Sequence, residues 1–236
     1  MEHIDFITAP DIILLQTEQE WVKLDKSGEG LWIHNDIELR AESLKDKLDI
    51  YLIARDTPIK RIIARRKCSI DSKVRILGDH WERSYGESEW RGIVPERILP
   101  WYFLISDGRI THGYGVKTGP NAMCFWQVSE SDITLCMDVR CGGKGVILSG
   151  KKLHVASIVN RTGNAGESPF ASAKAFCAVM CEKPKLPGFP VYGGNNWYYA
   201  YGKSDHNQIL EDSKRISDLA FSNNNRPFMV IDACWQ

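Results

Sequence analysis

From Leu31 to about Asn160, apolar and polar positions alternate in short bursts rather than at helical spacing. The segments "LDIYLIAR", "IKRIIARR", "KVRILG", "WYFLISDG", "AMCFWQVS", "DITLCMDVR" and "GVILSG" are each of strand length and rich in Ile, Val, Tyr, Phe and Trp. Between them "RDTP", "SDGR", "KTGPN" and "RCGGKG" put Gly, Pro, Asn and Asp where tight hairpins need them. Many short strands with no helical period between them predict a mainly β fold, a large two-sheet antiparallel β-sandwich.

After Gly166 the period changes. "SPFASAKAFCAVMCEK" opens with Ser168 as an N-cap and Pro169 at the first helical position, and places Phe170, Ala173, Cys177, Met180 and Cys181 on one stripe. The Pro/Gly-rich "PKLPGFP" cannot continue a helix or a central strand, so a linker is expected there, between a sandwich domain with a terminal helix (1–185) and a second region (186–236). That region reads as β, α, β: a strand in "PVYGGNNWYYAYG", a helix in "SDHNQILEDSKRISDLAFS" with Ser204 as cap and Ile209, Ile216, Leu219 and Ala220 as its apolar face, then "FMVID". A βαβ unit has parallel strands, so both C-terminal ends open on one side and Trp197 and Asp232 share a rim.

The charge balance narrows the partners. Lys plus Arg and Asp plus Glu each total 30, so there is no electrostatic case for nucleic acid or an anionic membrane surface. No run approaches the roughly 18 apolar residues of a membrane span, and "MEHIDFITAP" lacks a basic segment followed by an apolar one, so a cytoplasmic location is expected. Seven cysteines without a CxxC pair, mostly inside apolar stretches, predict buried thiols rather than disulfides or zinc. Cys177 and Cys181 lie one helical turn apart with no second ligand pair nearby, so no metal is expected, and the absence of GxGxxG or P-loop spacing argues against a nucleotide cofactor. His80 and His154 read as structural histidines.

The candidate chemistry gathers at the predicted strand ends: Asn195, Asn196, Trp197, Tyr198, Asp232, Cys234 and Trp235. A carboxylate and an amide among indoles suit a neutral oligosaccharide or glycoside, whose hydroxyls take directional hydrogen bonds while the ring's C–H face packs on an aromatic. The alternative, that Trp197 and Trp235 only close an apolar top, stands level on the residues alone. A second polar cluster, Glu82, Glu87 and Glu89 with Arg83, Arg91, Trp81 and Trp90, offers carboxylates, but ion pairing explains them more simply than catalysis; Trp81 and Trp90 are better read as sugar contacts from a long loop. Trp101 and Trp126 are further candidate platforms if the sandwich binds glycans by itself. In "THGYGVKTG" the glycines around His112, Tyr114 and Lys117 mark either close backbone approach to a ligand or only a twisted hairpin edge, the latter favoured.

"GGNNWYYAYG", the helix after it and "MVIDACWQ" resemble the "GWNSW" and "IDDGWQ" or "IDDCW" segments that begin the catalytic barrel of retaining α-galactosidases, the melibiase clan of glycoside hydrolase families 27 and 36. The upstream region, with "LGDHWERSYGESEWR" and "THGYGVKTG", is similar to the β-sandwich that family 36-like members place before that barrel. The resemblance implies that residues 186–236 are the first βαβ unit of a TIM (β/α)8 barrel. It implies substrate-binding roles for Asp232, Trp197 and Trp235, to which the residues themselves add Asn196, and a capping role for the sandwich loop carrying Trp81 and Trp90. It places the nucleophile and acid/base aspartates on later barrel strands, so no catalytic residue is expected in this chain and the chain alone is expected to be inactive. Two departures bear on the sugar. Ala233 replaces the second of two adjacent aspartates, removing a charge-assisted hydrogen bond of roughly 1.5 to 3 kcal/mol. Gly194 replaces a tryptophan of the subsite wall, which is expected to open space there. A raffinose-synthase-like transglycosylase shares the same segments, and a non-catalytic carbohydrate-binding or scaffold module is the remaining alternative. Apolar surface made for barrel neighbours predicts a homo-oligomer.

Overall fold

The computed structural model describes residues 4–82, 86 and 88–233. The chain divides into two compact units, Met1–Lys183 and Pro184–Gln236, at the first proline of "PKLPGFP". The first unit is mainly β. Its strands are β1 (Ile12–Thr17), β2 (Trp21–Lys23), β3 (Asp25–Gly28), β4 (Leu31–His34), β5 (Ile37–Ser43), β6 (Leu48–Ala54), β7 (Ile59–Lys67), β8 (Arg75–Gly78), β9 (Leu99–Pro100), β10 (Tyr102–Ser106), β11 (Thr111–Val116), β12 (Met123–Val128), β13 (Asp132–Asp138) and β14 (Lys152–Arg161). They form a six-stranded sheet in the order β2-β1-β7-β13-β12-β9 and an eight-stranded sheet in the order β3-β4-β5-β6-β14-β11-β10-β8. The pairs within both sheets are antiparallel, as in a β-sandwich.

Alternation sets the inward faces. In β1 every second residue is buried, so Ile13 and Leu15 enter the core while Ile12, Leu14 and Gln16 stay outside it. The centre of the core is a knot of four aromatic rings: Phe103 stacks on Tyr114 at 5.1 Å, and Phe6 meets Tyr114 and Trp126 edge-on at 5.3 and 5.5 Å. The two polar tips in this knot are satisfied, since the Ile4 N–H donates to Tyr114 Oη at 3.1 Å and Trp126 Nε1 donates to the Trp101 carbonyl at 3.1 Å.

One helix, α1 (Pro169–Met180), covers the outer face of the eight-stranded sheet. Ser168 caps it, accepting from the Ala171 N–H at 3.2 Å, with Pro169 at its first turn. Its buried face is Ser172, Phe176 and Met180, one residue per turn; of the expected stripe Met180 is buried and Ala173 packs beside it, while Phe170 is 79% exposed and Cys177 is also exposed. The sheet chooses the face. Strand β11 turns Tyr114 and Val116 inward and Gly113 and Gly115 toward α1, where a Cβ on Gly113 would lie 2.5 Å from Phe176 Cγ and one on Gly115 2.9 Å from Met180 Sδ. The glycines of "THGYGVKTG" thus admit a helix. Arg161 locks the seat with a two-pronged bond to Glu167 (2.8 and 3.0 Å) and a third to Ser172 Oγ, which itself donates to the Thr111 carbonyl at 2.7 Å.

Two other expectations change. β1, β2 and β3 precede the region where strands were anticipated. "GVILSG" makes only one bridge, Val146 with Ile59, and ends in a turn with Ser149 and Gly150 at positive φ. "WYFLISDG" holds β10 as expected; just before it the chain crosses from the six-stranded to the eight-stranded sheet at Trp101, whose φ of 65° is costly for a bulky side chain. Three hydrogen bonds pin that corner, from the Trp101 N–H to the Cys124 carbonyl and from the Val116 N–H and Trp126 Nε1 to the Trp101 carbonyl.

The second unit comprises β15 (Gly193–Asn195), α2 (Trp197–Ala200), a 3-10 turn at Tyr201–Lys203, α3 (His206–Leu219) and β16 (Phe228–Val230). β15 and β16 are parallel and pair Gly193 with Phe228, Gly194 with Met229 and Asn195 with Val230. The strand expected across "PVYGGNNWYYAYG" is therefore only three residues long before the chain turns helical at Trp197. Asp205 rather than Ser204 caps α3, its carboxylate accepting the Asn207 and Gln208 N–H groups at 2.8 and 3.0 Å. No helix among the described residues is long and apolar enough to cross a membrane.

Candidate functional site

The parallel pair β15–β16 closes at Gly193. A Cβ on Gly193 would sit 1.8 Å from the Phe228 carbonyl oxygen, so only glycine lets the strands close. A Cβ on Gly194 would meet Ile216 Cδ1 of α3 at 2.4 Å. The space beside Gly194, expected to open a subsite, is filled by the Ile216 side chain. Asp232 lies two residues past β16 and Asn195 ends β15, so the crossover brings an amide and a carboxylate together at the same end of the sheet.

They bond directly. Asn195 Nδ2 donates to Asp232 Oδ2 at 2.6 Å, the Ala233 N–H donates to Asp232 Oδ1 at 2.8 Å, and the Trp197 N–H donates to Asn195 Oδ1 at 2.7 Å. Asn195 and then Ala233 hold the Asp232 carboxyl below the usual carboxylate range. An ionised carboxylate offers about four acceptor positions, two of them used here, which leaves two for hydroxyl groups. The half-exposed Trp197 follows on the same turn and meets Tyr201 edge-on at 5.7 Å. Asn195, which lay in the candidate rim without an assigned role, is thus the partner of Asp232. Asn196 is 1% exposed; its amide donates to Ser204 Oγ at 2.6 Å and its carbonyl opens α2. Trp235 and Cys234 lie outside the described residues. Tyr199 hydrogen-bonds Asp212 of α3, which pushes its hydroxyl up to about 12 and ties the α2 turn to the helix.

In the sandwich unit, Trp81 is 47% exposed and packs edge-on against Trp101 (5.3 Å) and Phe125 (6.5 Å). It borders an open surface with Met123, Arg61, Arg140 and Asp138. Burial raises the Asp138 pKa, but hydrogen bonds from Arg140 and Arg61 outweigh it and bring the carboxyl to about 2. Trp90, expected on a sugar face, packs instead with Leu77, Tyr102 and Val179 against the cluster of Leu104, Val159, Phe176 and Met180 beneath α1. Trp126 is fully buried and is no platform. Glu89 pairs with Arg91 as charge balance suggested, while Arg83 and Glu87 fall outside the described residues.

The histidines take supporting positions. His112 is buried, and its Nδ1 accepts the Gly163 N–H at 3.3 Å. His154 Nε2 lies 3.2 Å from Ser157 Oγ and 3.5 Å from Asp49 Oδ1. Serine and carboxylate share one ring nitrogen there, which is not the relay in which a base accepts from a nucleophile and donates to a carboxylate. Among the described residues no group of three or more His, Cys, Asp or Glu side chains could hold a metal ion.

No protein-family model matches the chain, and no curated protein matches it.

Proposed function

We propose that this chain is the sugar-recognising N-terminal part of a retaining α-glycosidase, with the sandwich preceding a (β/α)8 barrel whose first βαβ unit is Pro184–Gln236. The observation that carries the reading is the Asn195–Asp232 bond at the C-terminal ends of two adjacent parallel strands, with Trp197 on the next turn. Parallel sheets with crossover helices position ligand groups at that end. A carboxylate with free acceptor positions beside an indole suits a sugar hydroxyl and the ring's apolar face.

The apolar surface of this unit supports the barrel. Parallel strands are normally covered on both faces, yet Phe228, Val230 and Ile231 are 51, 48 and 52% exposed, and α3 buries no residue. Such surfaces fit further βα layers. Asp232 binds and does not catalyse, because retention needs two carboxyl groups about 5 to 5.5 Å apart and the described rim holds one. The reading therefore requires later barrel strands that supply the nucleophile and the acid/base, with an aglycone side and sugar identity set there.

The binding half of the proposal is tested on this chain. The Asn195 side-chain amide and Trp197 indole NMR signals are followed while methyl α-D-galactopyranoside and methyl α-D-xylopyranoside are added. Saturable shifts in both signals, lost in Asp232→Ala, are expected; signals unmoved by either glycoside would overturn it.

A further inference from the structure

The sandwich unit carries a second concavity that the rim of β15–β16 does not involve. It is a cleft of about 470 Å³ lined by Asp79, Trp101, Tyr102, Lys117, Pro120 and Met180, among others. Its size falls within the roughly 300 to 1,000 Å³ typical of small-ligand sites. We propose that this cleft binds one neutral sugar ring.

Its aromatic wall is unusual in origin. Consecutive strand residues point to opposite faces, so Trp101 and Tyr102 in regular β structure would not line one cleft. The left-handed backbone at Trp101 breaks the alternation, and both residues border the cleft. That conformation is held by three hydrogen bonds through the Trp101 main chain, and the indole is braced edge-on by Trp81 at 5.3 Å. Strained backbone under a non-glycine residue concentrates at ligand sites. The wall is thus rigid before any ligand arrives.

The polar groups decide the ligand's charge. Asp79, 5% exposed at the end of β8, contributes a carboxyl group, one oxygen of which accepts the His80 N–H at 2.9 Å. On the other side the Lys117 ammonium is fixed by Glu182 at 2.6 Å, which uses one of its three donors. Thr118 lies between Lys117 and Gly119, the latter at φ 79°, and its hydroxyl donates to the Met180 carbonyl at 3.4 Å. A cation in the cleft would lie beside Lys117 and an anion beside Asp79. A polyhydroxylated neutral ring meets both, giving hydrogen bonds to the carboxyl, taking them from the ammonium and laying a C–H face on Trp101. All lining residues belong to Met1–Lys183, so the proposal does not rest on the function proposed for Pro184–Gln236.

The test uses the full chain labelled with 5-fluorotryptophan, the Trp101 fluorine signal being assigned with Trp101→Phe. The probes are methyl α-D-galactopyranoside and methyl β-D-xylopyranoside, with tetramethylammonium chloride and sodium glucuronate as charged arms. At least one neutral glycoside is expected to shift the Trp101 signal saturably. Asp79→Asn should weaken that binding at least tenfold, Lys117→Met several-fold, and Asp232→Ala not at all. Should Asp79→Asn fail to fold, Lys117→Met at the mouth carries the comparison. A Trp101 signal that no neutral glycoside moves overturns the proposal, as does a response to the charged arms only, or a shift indifferent to both cleft variants. A shift abolished by Asp232→Ala but untouched by Asp79→Asn overturns it while supporting the rim.

Discussion

Replacing Gly113 by alanine pits two effects against each other. Alanine restricts the unfolded chain more than glycine does, which stabilises a compatible site by about 0.4 to 1 kcal/mol. Gly113 is not at positive φ, so its backbone accepts alanine. Against this, the new methyl would lie 2.5 to 2.8 Å from three ring carbons of Phe176, which is 1% exposed and held between the sheet and α1. Overpacking of this kind costs about 1 to 3 kcal/mol, so the steric effect wins and Gly113→Ala destabilises by about 1 to 2 kcal/mol. For a unit of this size that lowers Tm by roughly 2 to 8 °C. Phe176→Ala alone should cost about 3 to 5 kcal/mol through the cavity it leaves. In the Phe176→Ala background the clash is gone, so Gly113→Ala should become neutral or stabilising. Thermal and urea unfolding of the four proteins of this cycle measure the coupling. Additive effects would refute the assignment of these glycines to helix seating and return "THGYGVKTG" to the ligand-binding candidates.

Other predictions follow from local chemistry. Asp36 accepts the Arg55, Asp56 and Thr57 N–H groups and the Thr57 hydroxyl, and the Thr57 bond foremost lowers its pKa to about 2. A folded pKa below the unfolded value of about 3.9 means that its stabilisation is complete above that value and is lost as pH falls through about 2. The Tm of Asp36→Ala should accordingly start lower at neutral pH and decline less between pH 4 and 2 than that of the parent. Burial pushes the Cys124 and Cys136 thiols up to about 12, whereas Cys141 and Cys177 are exposed. Iodoacetamide at pH 8 should therefore alkylate Cys141 and Cys177 in the native protein, and Cys124 and Cys136 only on unfolding, as read by peptide mass spectrometry. Gly193→Ala drives a methyl into the Phe228 backbone while Gly194→Ala meets only the flexible end of Ile216. Amide exchange of Phe228–Val230 should therefore accelerate strongly in the first variant and modestly in the second.

The strands that the sequence disclosed are those whose neighbours reinforce the period, such as β6, β7 and β13, where alternating or continuous apolar residues end at polar turns. What stayed hidden depended on partners distant in sequence. The buried face of α1 could not be read from a helix with apolar residues on several sides, because Gly113 and Gly115 on β11 select it. The corner at Trp101 carries no local signal, since positive φ is ordinarily a glycine property and hydrogen bonds from Val116 and Trp126 enforce it here. At the candidate site, the rim shared by Trp197 and Asp232 followed from βαβ geometry. The choice of Asn195 over Asn196 as the carboxylate's partner did not, because it turns on where the three-residue β15 stops and α2 begins.

In the function we propose, Asp232 grips the sugar of a retaining α-glycosidase, and this contact is essential to turnover. It is tested most directly by expressing the complete reading frame and following hydrolysis of 4-nitrophenyl α-glycosides by proton NMR, for the parent and for Asp232→Asn. The α-anomer of the released sugar is expected to appear first, and Asp232→Asn to lower kcat/KM by at least tenfold. Appearance of the β-anomer first, no hydrolysis of any α-glycoside, or an Asp232→Asn enzyme as active as the parent would contradict it.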